Sequence, residues 1–105
     1  MDMYIKWKRL THILEKICER PTFITLTNHD FSGGHGDAIS AVVFNTEHAE
    51  ILINSHEAKS LTKVIRALAH EAAHVVLGNA NHNKVFNKKW NSLTNLIEEE
   101  YLRKV

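Results

Sequence analysis

Apolar positions along the chain follow two rhythms. From Tyr4 to Glu19, Ile5, Leu10, Ile13, Leu14 and Ile17 recur at helical spacing, which predicts a helix with one buried side. Pro21 cannot continue that helix and ends it. The rhythm then shortens. TFITLT, Thr22 to Thr27, is β-branched and alternating, with Phe23, Thr25 and Thr27 on one side: a strand. NHDFSGGHGD, Asn28 to Asp37, holds three of the chain's four glycines and reads as a loop. Beyond it, AISAVVFN and AEILIN are short apolar runs separated by TEHA, which predicts a β-hairpin turning near Thr46 to His48.

The helical rhythm then returns. Leu61, Val64, Ile65, Leu68, Ala72, Val75 and Val76 form an apolar stripe. Ser55 and Ser60 are possible N-caps, and Gly78 with Asn79 supplies the stop. A last helix is predicted from Lys84 to Arg103, with Phe86, Trp90, Leu93, Leu96, Ile97 and Tyr101 inward. The order is helix, strand, hairpin, helix, helix. It predicts an α+β fold, a single domain over residues 1–105. A small, mostly antiparallel three-stranded sheet carries an N-terminal, a central and a C-terminal helix on one face.

Composition narrows the class. Of 105 residues, 44% are apolar and 24% charged, proportions of a globular chain. Net charge is +1, so no global field recruits nucleic acid or an anionic membrane. The clusters Lys6, Lys8, Arg9 and Lys84, Lys88, Lys89 read as solvated helix faces. A lone cysteine, Cys18, excludes an internal disulfide and a cysteine-based zinc ribbon; its apolar setting marks it as a small buried hydrophobe. No apolar run approaches the ~20 residues that span a bilayer, and no leader is evident, so a cytoplasmic address is expected.

Eight histidines is high usage for this length, and three of them concentrate the chemistry. ALAHEAAHVVLGNANHNKVF places His70, Glu71 and His74 in the spacing H-E-x-x-H, with His82 eight residues on. Residues four apart share a helix face, so His70 and His74 can hold one ion. At 100° per residue they lie opposite the apolar stripe centred on Leu68 and Leu61, with Glu71 on the flank. Catalytic zinc keeps three protein ligands and a water. His82 is the best-placed third ligand, because Gly78 lets the chain turn back over the helix end. A Glu among Glu98, Glu99 and Glu100 on the next helix is the competing choice. Glu71, beside a ligand, is positioned as general base.

The stretch LAHEAAHVVLGNANHNKVFNKKW resembles the SprT-like group of zincin metallopeptidases. The shared features are the H-E-x-x-H helix, a glycine-containing turn, a third His and an aromatic opening the next helix. Here they fall on His70, Glu71, His74, Gly78, His82 and Phe86, with Trp90 one turn further. GDAISAVVFNTEHAEILINSHEAKS is similar to the group's hairpin. The resemblance implies a minimal zincin-like domain with zinc bound by His70, His74 and His82. It also implies Glu71 as base and hydrolysis of a protein or peptide substrate paired with an edge strand within Ala38 to Asn45. The zinc ribbon that follows the core in many relatives is absent, so a DNA-linked role is not implied. Two other classes compete: a non-catalytic metal-binding interaction module, and a three-histidine metal-dependent endoribonuclease.

Other residues admit a functional reading and a plainer one. His35 in the glycine loop suits a substrate contact or a loop residue, with His29 and His56 weaker. Tyr101 suits an oxyanion donor or a core position, and Trp7, Phe86 and Trp90 suit core anchors.

Overall fold

The computed structural model describes residues 5–28, 39–79 and 81–103. Three helices and three strands follow in the order α1 (Trp7–Cys18), β1 (Thr22–Thr27), β2 (Ser40–Phe44), β3 (Ala49–Asn54), α2 (Leu61–Leu77) and α3 (Lys84–Leu102). The class is α+β, with a strand order of β1-β3-β2. The hairpin pairs β2 with β3 antiparallel, placing Ser40 opposite Ile53 and Val42 opposite Ile51. β1 runs parallel to β3, Thr22 beside Ala49 and Ile24 beside Ile51, so the sheet is mixed.

Local chemistry sets the element ends. Asn45 closes the hairpin: its Oδ1 accepts from the Glu47 and His48 amides, and its own amide donates to the His48 carbonyl. This Asx turn does the work of the absent Asn-Gly pair. Ser60 caps α2 by accepting from Lys63 N, and Asn83 caps α3 by accepting from Phe86 N. Gly78 ends α2 with φ +73°, the left-handed conformation that suits glycine.

One face of the sheet is covered. Ala49, Ile51 and Ile53 are buried against the helices with Leu10, Leu14, Ile65 and Leu68. The other face carries exposed Phe23 and Val43, and there Thr25 Oγ1 donates to Glu50 Oε2. α3 packs on α2 and α1. α2 therefore lies between the sheet and α3, and from Ala67 to Val75 nearly every side chain is buried. The single-sided stripe expected for this helix is too narrow a description. Conversely, Val76 and Leu96, expected inward, are about two-fifths exposed.

The far end of α3 is anchored to α1. Arg9 donates to the carbonyls of Glu100, Tyr101 and Arg103, and Lys6 N donates to the Tyr101 hydroxyl. Arg9 thus supplies donors to the otherwise unpaired last carbonyls of α3, and Tyr101 is a helix-to-helix tie. Cys18 is buried. No helix of the described residues is long and apolar enough to cross a membrane.

Candidate metal centre

His70 and His74 project from consecutive turns of α2 toward α3, and His82 approaches from the turn between the two helices. Their ligating atoms all lie within 4.8 Å of one another. Ring centroids are 5.0 Å apart for His70 and His74, 5.2 Å for His70 and His82, and 4.9 Å for His74 and His82. Nε2 of His82 is 3.4 Å from Nε2 of His70. Two nitrogens bound at about 2.0–2.1 Å to a tetrahedral ion stand roughly 3.3–3.4 Å apart. The pair already has the spacing of two ligands sharing one ion.

The far nitrogen of the His74 ring is also engaged. His74 Nδ1 lies 3.0 Å from the Asn79 carbonyl. A carbonyl only accepts, so Nδ1 carries the proton and Nε2 keeps its lone pair toward the cluster. Burial lowers the His74 pKa from its ordinary value; the Asn79 carbonyl opposes that shift and the His82 charge adds to it. The net direction favours neutral imidazole, the form that binds metal.

The three rings rest on one aromatic side chain. Phe86, fully buried in the first turn of α3, stacks on His74 at 4.5 Å and meets His70 and His82 edge-on at 4.9 Å each. Trp90 meets His70 edge-on at 4.7 Å, and its Nε1 donates to the Arg66 carbonyl. Burial grades across the group: His74 is buried, His70 half-buried and His82 exposed. The group therefore opens to solvent on the His82 side.

Glu71 is not one of the three grouped ligands. Its carboxylate is buried toward the sheet, where the Ser40 hydroxyl of β2 donates to Oε2 at 2.6 Å. The sequence alone assigned no part in the site to Ser40, Arg66 or Asn79. Arg66, four residues before His70, was within reach of helical spacing. Ser40 had no local signal.

The rival acids are remote. From Lys84 to Glu98 a helix rises about 20 Å, and Glu100 pairs with Arg103 at the far end of α3. His82, not a glutamate of that run, joins His70 and His74. His56 is exposed and its amide bonds Asn54 Oδ1. His29 and His35 lie outside the described residues.

Compared with family models, curated proteins and solved structures, the chain gives no match in any of the three. Three imidazoles without a thiolate form a donor set that could hold a metal ion.

Proposed function

We propose that this chain is a zinc-dependent metallopeptidase of the zincin type, related in plan to the SprT-like group. The observation that carries the reading is the convergence of three histidine ligand atoms within 4.8 Å, beside a buried glutamate on the same helix. Among the described residues the group has three members. That is the number of protein ligands a catalytic zinc site keeps, with one position left for water or substrate. A structural site would be closed by a fourth.

The donor set dictates the chemistry. His70, His74 and His82 would hold the zinc ion, which would supply Lewis acidity toward a water and a carbonyl. Glu71 accepts the proton that water releases as its oxygen attacks the peptide carbon. Glu71 then delivers that proton to the amine nitrogen as the C–N bond breaks. His74 is kept in the ligating tautomer by Asn79, and Ser40 holds the Glu71 carboxylate. Strand β2 lies at the sheet edge, with β3 on its other side. Its outer main-chain groups suit an extended peptide added as a further strand.

The test is zinc content together with peptide hydrolysis, for wild type and Glu71→Gln. One zinc per chain in both proteins, with hydrolysis in wild type alone, is the expected result. Equal turnover in the variant, or no zinc after reconstitution, would overturn the reading.

A further inference from the structure

A cavity of about 250 Å³ opens directly beside His70, lined by Ile39, Glu57, Lys63, Arg66, Ala67 and Trp90. Small-molecule pockets usually run to about 300–1,000 Å³, so this one has the size for a single side chain. Ile39 immediately precedes β2, the strand that offers its edge, and His70 is a member of the histidine cluster. A peptide extended along β2 directs alternate side chains to one side. With Ile39 at the head of β2 and His70 in its lining, the cavity adjoins both the strand and the histidine cluster.

Among the described lining residues the charge is positive. Lys63 and Glu57 pair across 3.7 Å at an exposed position and largely offset each other. Arg66 makes no ion pair among the described residues. Its guanidinium sits over the Trp90 ring, 4.6 Å from the centroid. Trp90 in turn is pinned by the bond from its Nε1 to the Arg66 carbonyl. A guanidinium held over an aromatic ring still has N–H donors for a further partner, and a carboxylate is the partner that matches them. Arg66 also stands one helical turn, about 6 Å of rise, before His70. Charge and metal site thus share one side of α2.

We propose that this cavity is a substrate pocket that takes a carboxylate, held by the Arg66 guanidinium on its Trp90 platform. The proposal rests on the peptidase reading and adds its specificity: cleavage beside an acidic residue or near a free chain end. An Asp or Glu side chain and a terminal carboxylate present the same chemistry, and the assay separates them.

The experiment uses the zinc-reconstituted full chain and a set of fluorogenic peptides. Within the set, Glu is exchanged for Gln or Lys at each position flanking the cleaved bond. A second pair differs only in a free or amidated C-terminus. Expected for wild type is a kcat/KM roughly tenfold or more higher for the anionic member of one pair, the scale of a charge-assisted hydrogen bond. Preference in the Glu/Gln pair assigns the side chain, and preference in the acid/amide pair assigns the chain end. Arg66→Gln should bring the ratio to about one, and Arg66→Glu should turn the preference toward Lys. No anionic preference in either pair, or one that survives Arg66→Gln, would overturn the pocket.

Peptide affinity for zinc-loaded Glu71→Gln, titrated with and without Arg66→Gln, separates this inference from the reading beneath it. If wild type cleaves nothing, the peptidase reading falls. Tighter binding of the anionic peptide that is lost with Arg66→Gln would still uphold the pocket, and equal affinities would overturn it as well.

Discussion

Ser40 Oγ donates to Glu71 Oε2 at 2.6 Å, from a residue 31 positions away in sequence. Ser40 opens the edge strand β2, and Glu71 sits beside a histidine of the cluster. The bond therefore links the strand proposed to align a peptide with the carboxylate proposed to act on it. A hydroxyl donating to a buried carboxylate is among the stronger neutral-to-charged hydrogen bonds. It fixes the plane of the carboxylate rather than its existence in the site.

Removing that hydroxyl should separate positioning from metal binding. Ser40→Ala is expected to lower kcat by roughly ten- to a hundredfold, the usual loss when a group supporting a site is removed. Zinc content and KM should change little, and Ser40→Thr, which keeps the hydroxyl, should recover most of the rate. Steady-state kinetics with elemental analysis checks this. Turnover in Ser40→Ala equal to wild type would mean that the bond does not position the base.

The graded burial of the histidines predicts two different failures. His82 is exposed, so His82→Ala should melt close to wild type in the metal-free state and lose zinc affinity. The loss should exceed the roughly 10–100-fold that accompanies removal of a mere supporting partner. His74 is buried and stacked on Phe86. His74→Ala should lose both zinc and thermal stability. Thermal melting of metal-free and zinc-loaded proteins separates the two, and similar melting of both metal-free variants would contradict the burial argument.

What the sequence disclosed was local. The periods of Ile5 to Ile17, Thr22 to Thr27 and Leu61 to Val75 located their elements, because each period reports which side of a short segment meets the core. Ser60 and Gly78 marked the ends of α2 through backbone chemistry within a few residues of themselves. The convergence of His70, His74 and His82 was legible for the same reason: two lie one turn apart and the third just beyond a glycine stop. Parallel pairing of β1 with β3 was not, since nothing in Thr22 to Thr27 encodes which distant strand it joins. Nor was the burial of α2 on two sides. A stripe measures apolar surface, whereas His70 and His74 are covered by Phe86 and Trp90 arriving from α3. Ser40 and Arg66 went unread because their roles depend on a neighbouring strand and a neighbouring ring.

Gly78 offers a test of how the turn supports the site. At φ +73° a β-carbon would meet open space, so the strain of a substitution there is purely one of backbone. Gly78→Ala should lose about 1–2 kcal/mol of folding stability, the penalty of a left-handed conformation. Gly78→Asn should lose less, because Asn tolerates that conformation. Zinc affinity should fall in the same order, since the turn carries Asn79 toward His74 and leads into His82. Urea unfolding and a zinc-chelator competition measure both, and an Asn variant worse than Ala would refute the account.

Cys18 predicts a dependence on pH. Burial raises its thiol pKa above the ordinary value of 9.0, against smaller lowering effects from Thr22 and Arg20. A folded pKa above the unfolded one means that the contribution is fully present below about pH 9. It is lost as pH rises through the folded value. Metal-free protein should therefore melt at progressively lower temperature above about pH 9, and Cys18→Ala should flatten that decline. Alkylation of the native thiol near neutral pH should be slow and should accelerate on unfolding in urea. Rapid labelling of native protein would show the thiol to be accessible.

Phe86 is where core and site meet, and its removal should damage both. The ring is fully buried and touches all three histidines. Phe86→Ala should lose about 3–5 kcal/mol, the range for emptying a buried aromatic site. That is a large share of the roughly 5–15 kcal/mol that holds a domain folded. Phe86→Leu fills much of the volume and should lose less, yet it removes the flat surface on which the His74 ring stacks. The Leu variant is thus the informative one: folded, but with zinc affinity reduced because the imidazoles regain freedom that binding must then remove. Urea denaturation of the metal-free protein gives the first quantity and chelator competition the second. A Leu variant with wild-type zinc affinity would restrict Phe86 to the core and leave the orientation of the histidines to Asn79 and Trp90.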